Sequence, residues 1–214
     1  MENLDYNLIK IFPKVIYSSE VEICDYEKNF IKNGIGLRED YQSNGSIIYL
    51  SKSNHVLDSK ELVHLKSILL KHVNKFLKEI FGIADKIEFY IKTSWIALYK
   101  ENSSGDRHNH KNSIITGILY VDVDDAEGDI VFYEDECNTP SFLKNFLFNF
   151  SEENQINSNT FQIKPKNNKL YLFESGLVHS ISSNTTTNPR IALAFDVFFK
   201  GTITANSLGE LTLY

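Results

Sequence analysis

Three histidines in the second half of the chain carry the clearest potential for metal chemistry. His108 and His110 stand one residue apart in the run HNH, and His179 follows in FESGLVHS. Residues i and i+2 of an extended strand project from the same face, so the first two rings can point at one ion, and His179 can complete the set from a facing strand. An H-x-H pair also has a simpler interpretation, which is that both histidines lie at the surface beside a turn.

The elements that must position these histidines can be inferred from the pattern of apolar residues. From residue 87 onward, the chain consists of short runs rich in β-branched and aromatic residues, separated by Gly, Asn, Asp, Ser or Pro. The runs are IEFYIKTSWIALYK, SIITGILYVDV, GDIVFYE, TFQIKP, KLYLFES, HSISS and RIALAFDVFFK. This alternation of short strand-like runs with turn-forming residues predicts an antiparallel sandwich or barrel.

Two helices are predicted in the first half of the chain. The clearer one spans residues 58–81, where apolar residues recur at steps of three and four before Gly82. These apolar residues are Leu62, Leu65, Leu69, Val73, Phe76, Leu77 and Ile80. A weaker helix is predicted over residues 21–32, from Ile23, Tyr26, Phe30 and Ile31 ahead of Gly34. We expect the long helix to support one face of the β-rich half, with His64 and His72 facing solvent.

Composition and charge disfavour several classes of protein. The 214 residues are 42% hydrophobic and 23% charged, and no apolar run approaches the roughly 20 residues that span a bilayer. The net charge of -6 disfavours an extended nucleic-acid-binding face. The first residues lack the basic start of a secretory signal, and the two cysteines, Cys24 and Cys137, cannot form a disulfide framework. We therefore expect a cytoplasmic protein that does not enter a membrane.

The order of the motifs resembles that of a known enzyme superfamily. The H-x-H pair is followed by TGILYV at residues 116–121, ESGLVH at residues 174–179 and RIALAF at residues 190–195. This succession resembles the double-stranded β-helix oxygenases that use Fe(II) and 2-oxoglutarate, and more closely a 2OG-Fe(II) oxygenase family found in bacteria and phages. The resemblance covers about residues 87–200, and NLIKIFPKVIYSS near the N-terminus is similar to the family's opening strand.

The resemblance implies a mainly β protein with flanking helices, folded as a double-stranded β-helix or jelly roll. It implies one oxygenase domain over residues 1–214, with the first strand and the helices in about residues 1–85 and the β-roll core in about residues 86–200. Fe(II) would bind in the mouth of the roll, with 2-oxoglutarate as co-substrate. In such enzymes, oxidative decarboxylation of 2-oxoglutarate to succinate and CO2 is coupled to hydroxylation of a substrate.

The metal ligands implied by the resemblance are His108, His110 and His179, and the near pair departs from the superfamily's usual pattern. That pattern is H-x-D or H-x-E with a distant His, so here a histidine stands where a carboxylate is usual. A carboxylate would offset one unit of the ferrous charge, whereas three neutral imidazoles leave the site more electropositive. Two of the histidines with a carboxylate remain an alternative, and no residue beyond the metal site is expected to be catalytic. The acidic candidates are Asp106, Glu134 and Asp135.

Arg190 is the expected anchor for the co-substrate. A dicarboxylate that chelates the metal through its keto acid end leaves a second carboxylate deeper in the site, where a bidentate guanidinium is a suitable partner. Tyr99, Tyr120 and Ser182 could add a hydroxyl to the same carboxylate. The simpler interpretations are an edge-strand Arg190 that is solvated or paired with Asp196, and tyrosines that only pack on their strands.

We interpret the chain as an Fe(II)/2-oxoglutarate-dependent dioxygenase, a hydroxylase of a small molecule or of a peptide or protein. Two alternatives stay open: a three-histidine, cupin-like dioxygenase that binds its substrate directly to iron without 2-oxoglutarate, and a non-catalytic β-roll binding module. Residues 138–158 interrupt the strands with the apolar cluster FLKNFLFNF. This insertion predicts either a lid over the site or an ordinary helix packed on the roll.

Overall fold

The computed structural model describes residues 14–84, 86–124, 128–134, 149–152, 154, 156–203 and 209–214. The strands of this part are β1 (Tyr17–Glu20), β2 (Leu37–Tyr41), β3 (Ile47–Ser51), β4 (Glu88–Tyr99), β5 (Gly105–His108), β6 (Ile115–Asp122), β7 (Ile130–Tyr133), β8 (Thr160–Ile163), β9 (Lys169–Glu174), β10 (His179–Ile181), β11 (Arg190–Ile203) and β12 (Leu211–Leu213). The larger sheet has the order β1-β9-β6-β11-β4-β3-β2, with β12 paired to β11, and the smaller sheet has the order β5-β10-β7-β8. All these pairings are antiparallel, which confirms the prediction of a mainly β fold with antiparallel sheets.

The two faces of the larger sheet have different partners, as its central strand β11 shows. The odd-numbered residues from 191 to 197 are all apolar and are buried in a core shared with the helices. The even-numbered Ala192 belongs to a second core, which joins the larger sheet to Ile130, Phe132 and Ile181 of the smaller sheet. Because successive side chains of a strand alternate between faces, β11 separates a helix-covered core from the space between the sheets.

The long helix predicted over residues 58–81 is a succession of shorter segments. Two 3-10 turns, Val56–Asp58 and Lys60–Leu62, lead into α2 (Val63–Asn74), which continues as a π-helix over Lys75–Ile80. The predicted apolar stripe is buried from Leu62 to Leu77, but Ile80 is 54% exposed. A π-helix has a wider turn than an α-helix, so its last residue no longer falls on the α-helical stripe.

Helix α1 (Asp25–Asn33) overlaps the weaker predicted helix, but its buried face differs. The prediction that Tyr26 belongs to the apolar stripe is wrong, because this residue is 64% exposed. Glu27 is buried instead, and its carboxylate accepts the backbone N–H groups of Cys24 and Leu65. These two bonds cap the start of α1 and tie it to the first turn of α2.

The two histidines of α2 have different environments. His64 faces solvent as predicted, with its side chain 75% exposed. The same prediction is wrong for His72, since the hydroxyl of Tyr17 on β1 lies 2.7 Å from its Nδ1 and partial burial lowers its pKa. Neither ring belongs to the cluster that the later histidines form.

Candidate active site

The H-x-H pair and the distant histidine come together in the fold. His108 ends β5 and is the register partner of His179, which begins β10. His179 therefore lies on the neighbouring strand of the same sheet, and the prediction of a facing strand is wrong. His110 stands beyond the end of β5, and its backbone N–H donates to the carbonyl oxygen of Ser175 at 2.9 Å. One ring nitrogen from each histidine lies within 4.8 Å of those of the other two.

The Nδ1 atom of each of these rings is engaged in a hydrogen bond. His108 Nδ1 lies 2.7 Å from the carbonyl oxygen of Asp106, and His179 Nδ1 lies 3.0 Å from the carbonyl oxygen of Leu177. His110 Nδ1 lies 2.8 Å from carboxylate Oδ1 of Asp196. Carbonyl and carboxylate oxygens only accept, so each Nδ1 is the donor of its hydrogen bond and each Nε2 is the ring nitrogen left for another partner. Three free imidazole nitrogens in one cluster form a donor set for a transition-metal ion.

Burial favours the neutral form of these rings. His179 is 2% exposed, and its removal from water lowers its pKa to about 3. The same cause lowers the pKa of His108, although that residue keeps an exposed edge. Because a metal binds the neutral imidazole, these two rings are in the binding form at neutral pH without losing a proton.

The acidic residues considered as alternative ligands do not join the cluster. Within the described ranges, it consists of the three histidines alone. The carboxylate of Asp106 accepts the backbone N–H of Ser43, and this hydrogen bond lowers the pKa of Asp106. Glu134 follows β7 and does not line the cavity beside the histidines. Asp135 lies outside the described residues.

That cavity lies between the two sheets and extends along the inner face of the larger one. Its wall there is formed by residues of β4, β6 and β11, and Ala97, Ala192 and Ala194 leave room because their side chains are small. On β11, Asp196 contacts His110 and so lies at the end of the cavity that contains the three histidines. Arg190, six residues earlier on the same strand, lines the opposite end. The cavity therefore joins the histidine cluster to a buried guanidinium.

Arg190 begins β11, which lies between β4 and β6, and the residue is 2% exposed. Its guanidinium lies over the ring of Tyr99, 4.4 Å from the centroid, and Nη1 donates to the carbonyl oxygen of Gly128. In the part of the chain that the structure describes, Arg190 Nη2 and the Tyr120 hydroxyl have no hydrogen-bond partner. The interpretation of Arg190 as a solvated edge-strand residue is wrong, and Asp196 contacts His110 rather than Arg190.

The unpartnered donors predict an anionic ligand at this end of the cavity. A buried guanidinium without a salt-bridge partner among the described residues is costly, and burial lowers the pKa of Arg190, although the charge of Asp129 partly opposes this effect. Burial also raises the pKa values of Tyr99 and Tyr120, so both phenols stay protonated. A carboxylate would satisfy both Arg190 Nη2 and the Tyr120 hydroxyl. The residues present thus fit a metal ion at one end of the cavity and a carboxylate at the other.

Two residues of the site escaped the sequence interpretation, and one that it included lies elsewhere. Asp196 is the carboxylate that contacts the histidine cluster, and Trp95 lines the cavity with its ring centroid 5.4 Å from that of His110. Ser182, considered as a further hydroxyl donor, does not line the cavity. A signal for Asp196 was present, because residues 190, 192, 194 and 196 share one face of a strand and only one of them is acidic.

Comparison with known proteins places these residues in a family. Residues 93–196 match the family described as "Putative 2OG-Fe(II) oxygenase". The resemblance to the 2OG-Fe(II) oxygenases that the sequence motifs indicated is thus confirmed over these residues. The matched range contains the H-x-H pair, His179 and Arg190. No curated protein matches the chain.

Several solved structures share the fold of this chain. The α-ketoglutarate-dependent epimerase SnoN from nogalamycin biosynthesis is 11% identical, with a TM-score of 0.63 over 94% of this chain and 89% of SnoN. HygX from Streptomyces hygroscopicus, solved with nickel and 2-oxoglutarate, is 7% identical, with a TM-score of 0.56 over 86% of this chain and 82% of HygX. A Pseudomonas putida prolyl-4-hydroxylase is 12% identical, with a TM-score of 0.53 over 87% of this chain and 92% of the hydroxylase. These likenesses confirm the predicted double-stranded β-helix.

Proposed function

We propose that this 2OG-Fe(II) oxygenase hydroxylates its substrate, with His108, His110 and His179 as the metal ligands and Arg190 as the anchor of 2-oxoglutarate. The observation that carries the proposal is the pair of unpartnered donors, Arg190 Nη2 and the Tyr120 hydroxyl, in the cavity that the histidines line. A metal-chelating dicarboxylate has one acidic group for each end of such a cavity.

Each residue has a distinct task in this proposal. The histidines bind the metal through Nε2, because their Nδ1 atoms are already engaged. Arg190 and Tyr120 donate to the distal carboxylate, and the ring of Tyr99 holds the guanidinium in place and shields one of its faces from water. When bound, Fe(II) and 2-oxoglutarate supply the oxidising chemistry, in which decarboxylation of the keto acid is coupled to oxidation of the substrate.

The two alternative functions explain less of the cavity. A cupin-like dioxygenase that binds its substrate directly to iron has no need of a buried dicarboxylate anchor, so Arg190 Nη2 would remain without a hydrogen-bond partner. A non-catalytic binding module has no need of three histidines with free ring nitrogens at the mouth of the same cavity. The proposed function accounts for both features, because Fe(II) would bind the three histidines and 2-oxoglutarate would bind Arg190.

The substrate class is proposed from charge and from the fold relatives. HygX has been solved with hygromycin B, and a prolyl hydroxylase from Trichoplax adhaerens has been solved with a peptide fragment. We infer that this chain acts on a small molecule or a peptide, since its net charge of -6 disfavours nucleic acid. None of the helices described is both long and apolar enough to span a membrane. A single domain and a cytoplasmic location stay predictions.

Turnover of the co-substrate tests the proposal. We expect the protein loaded with Fe(II) to convert 2-oxoglutarate to succinate in the presence of dioxygen, measured by NMR of the reaction mixture. His179→Ala should abolish this conversion, whereas His64→Ala, on an exposed side chain, should leave it unchanged. A protein that takes up neither iron nor 2-oxoglutarate would refute the proposal and favour the binding module.

A further inference from the structure

Asp196 is a buried carboxylate that the proposed ligand set does not use. The residue is 8% exposed on the central strand β11, on the cavity side of the sheet. Its Oδ1 lies 2.8 Å from His110 Nδ1 and accepts the hydroxyl of Thr116 at 2.9 Å. Its Oδ2 accepts the hydroxyl of Thr93 at 3.4 Å. Three polar contacts therefore fix the carboxylate with Oδ1 against the imidazole.

The contact with His110 differs from those of the other two rings. His108 and His179 donate to backbone carbonyl oxygens, which are neutral. His110 donates to a carboxylate, and hydrogen bonds to an ionised acceptor are about twice as strong as neutral ones. The one formal negative charge in direct contact with the cluster, within the described residues, thus lies behind His110.

His110 is also the ring with the least support from secondary structure. His108 and His179 lie within paired strands, whereas His110 follows the end of β5. A chain of hydroxyl groups fixes it instead: Thr116 Oγ1 lies 3.0 Å from Ser175 Oγ, and the carbonyl oxygen of Ser175 accepts the backbone N–H of His110. The same network therefore holds the backbone of His110 and, through Asp196, its ring.

We propose that Asp196 is a positioning residue of the metal centre, which fixes His110 with Nε2 toward the metal and supplies the negative charge that a coordinating carboxylate provides in H-x-D sites. This inference rests on the proposed metal site. Carboxylate–histidine–metal arrangements orient the ring and make it a stronger ligand, and loss of such an outer carboxylate typically costs about 10- to 100-fold in metal affinity. In this site the carboxylate would therefore act on the metal through His110 rather than coordinate it directly.

Two substitutions separate the charge of Asp196 from its hydrogen bond. Asp196→Asn keeps the shape and an oxygen acceptor for His110 but removes the charge, and Asp196→Ala removes both. We expect Co(II) binding to the apo protein to weaken by about 10-fold or more in Asp196→Asn and further in Asp196→Ala. Long-range 1H–15N NMR of the histidine rings should show the Nδ1–H tautomer of His110 in wild type and in Asp196→Asn, and a tautomer mixture in Asp196→Ala.

Controls distinguish failure of this inference from failure of the proposed function. If His179→Ala binds Co(II) like wild type, the metal site itself is elsewhere and the proposed function fails. If His179→Ala loses Co(II) but both Asp196 variants bind it like wild type, only the role of Asp196 is overturned. Should Asp196→Ala not fold, Thr116→Val removes one hydroxyl donor to Oδ1 and leaves the carboxylate. We expect a smaller loss of Co(II) affinity in that variant, and an unchanged affinity would count against the network.

Discussion

Replacing Arg190 with methionine should separate the binding role of this residue from any role in stability. Methionine replaces the aliphatic part of the arginine side chain and has no charge, so Arg190→Met removes a buried cation whose Nη2 has no hydrogen-bond partner in the described structure. It also removes the bond from Nη1 to the carbonyl of Gly128 and the contact with the ring of Tyr99. These lost contacts are worth about 1–2 kcal/mol each, and relief of the desolvated charge is of similar size. The free energy of unfolding of the apo variant should therefore differ from that of the wild-type apo protein by no more than about 2 kcal/mol.

The effect on 2-oxoglutarate binding should be much larger. A charge-assisted hydrogen bond contributes about 1.5–3 kcal/mol, which corresponds to a loss of roughly 10- to 150-fold in affinity. At a 2-oxoglutarate concentration of about 100 times the wild-type dissociation constant, ligand binding stabilises the folded protein by about 2.7 kcal/mol. In a variant weakened about 100-fold, the same concentration stabilises by only about 0.4 kcal/mol.

Urea unfolding of the Co(II)-loaded proteins, with and without 2-oxoglutarate, measures both quantities. Wild type should gain stability with 2-oxoglutarate and Arg190→Met should gain little, while the Co(II) affinities of the two proteins stay nearly equal. An equal gain in both proteins would refute the anchor role and favour the cupin-like alternative. A loss of more than about 4 kcal/mol in the apo variant would instead mark Arg190 as a structural residue.

Three further predictions concern the histidines and the insertion. His179→Ala should abolish tight Fe(II) binding in an anaerobic titration, whereas His64→Ala should not, and stoichiometric iron in the His179 variant would place the site elsewhere. Burial lowers the pKa of His179 from its ordinary 6.5 to about 3 in the folded apo protein. Below pH 6.5, His179 therefore takes up a proton in the unfolded chain but stays neutral in the folded protein. The free energy of unfolding should thus fall by about 2 kcal/mol from pH 7 to pH 5 in urea titrations, and an equal fall in His179→Gln would contradict this origin. Residues 138–158, most of which lie outside the described residues, should exchange amide hydrogens quickly in the apo protein and slowly with ligands if they form a lid; uniformly slow exchange would leave only the packed helix.

The fold and the main site residues were accessible from the sequence because their signals are local and ordered. Short β-rich runs separated by turn-forming residues predicted antiparallel sheets. The order of HNH, ESGLVH and RIALAF predicted which residues would lie close together in the fold. His108, His110 and His179 do form one cluster, and Arg190 does lie buried in the adjoining cavity. The roles of these residues as ligands and anchor stay predictions that the experiments above test.

The remaining features depend on tertiary contacts that no local pattern encodes. The position of His179 on a neighbouring strand rather than a facing one follows from sheet order, which the run of strands does not reveal. Ile80 leaves the apolar stripe because the helix widens into a π-helix, and Glu27 is buried because it caps another helix across the fold. Asp196 lies on β11 of the larger sheet, whereas His110 follows the end of β5 of the smaller sheet, so only the alternation along β11 indicated that Asp196 faces the cavity.

The most direct test of the central claim is the absorption spectrum of the protein reconstituted anaerobically with Fe(II), recorded before and after addition of 2-oxoglutarate. If the histidine cluster and Arg190 hold the metal and its chelating co-substrate together, a weak visible charge-transfer band should appear only when both are present. The band should be absent in His179→Ala, and in Arg190→Met it should need a 2-oxoglutarate concentration about 10-fold higher or more. Wild-type protein that binds Fe(II) but shows no band at saturating 2-oxoglutarate would contradict the claim.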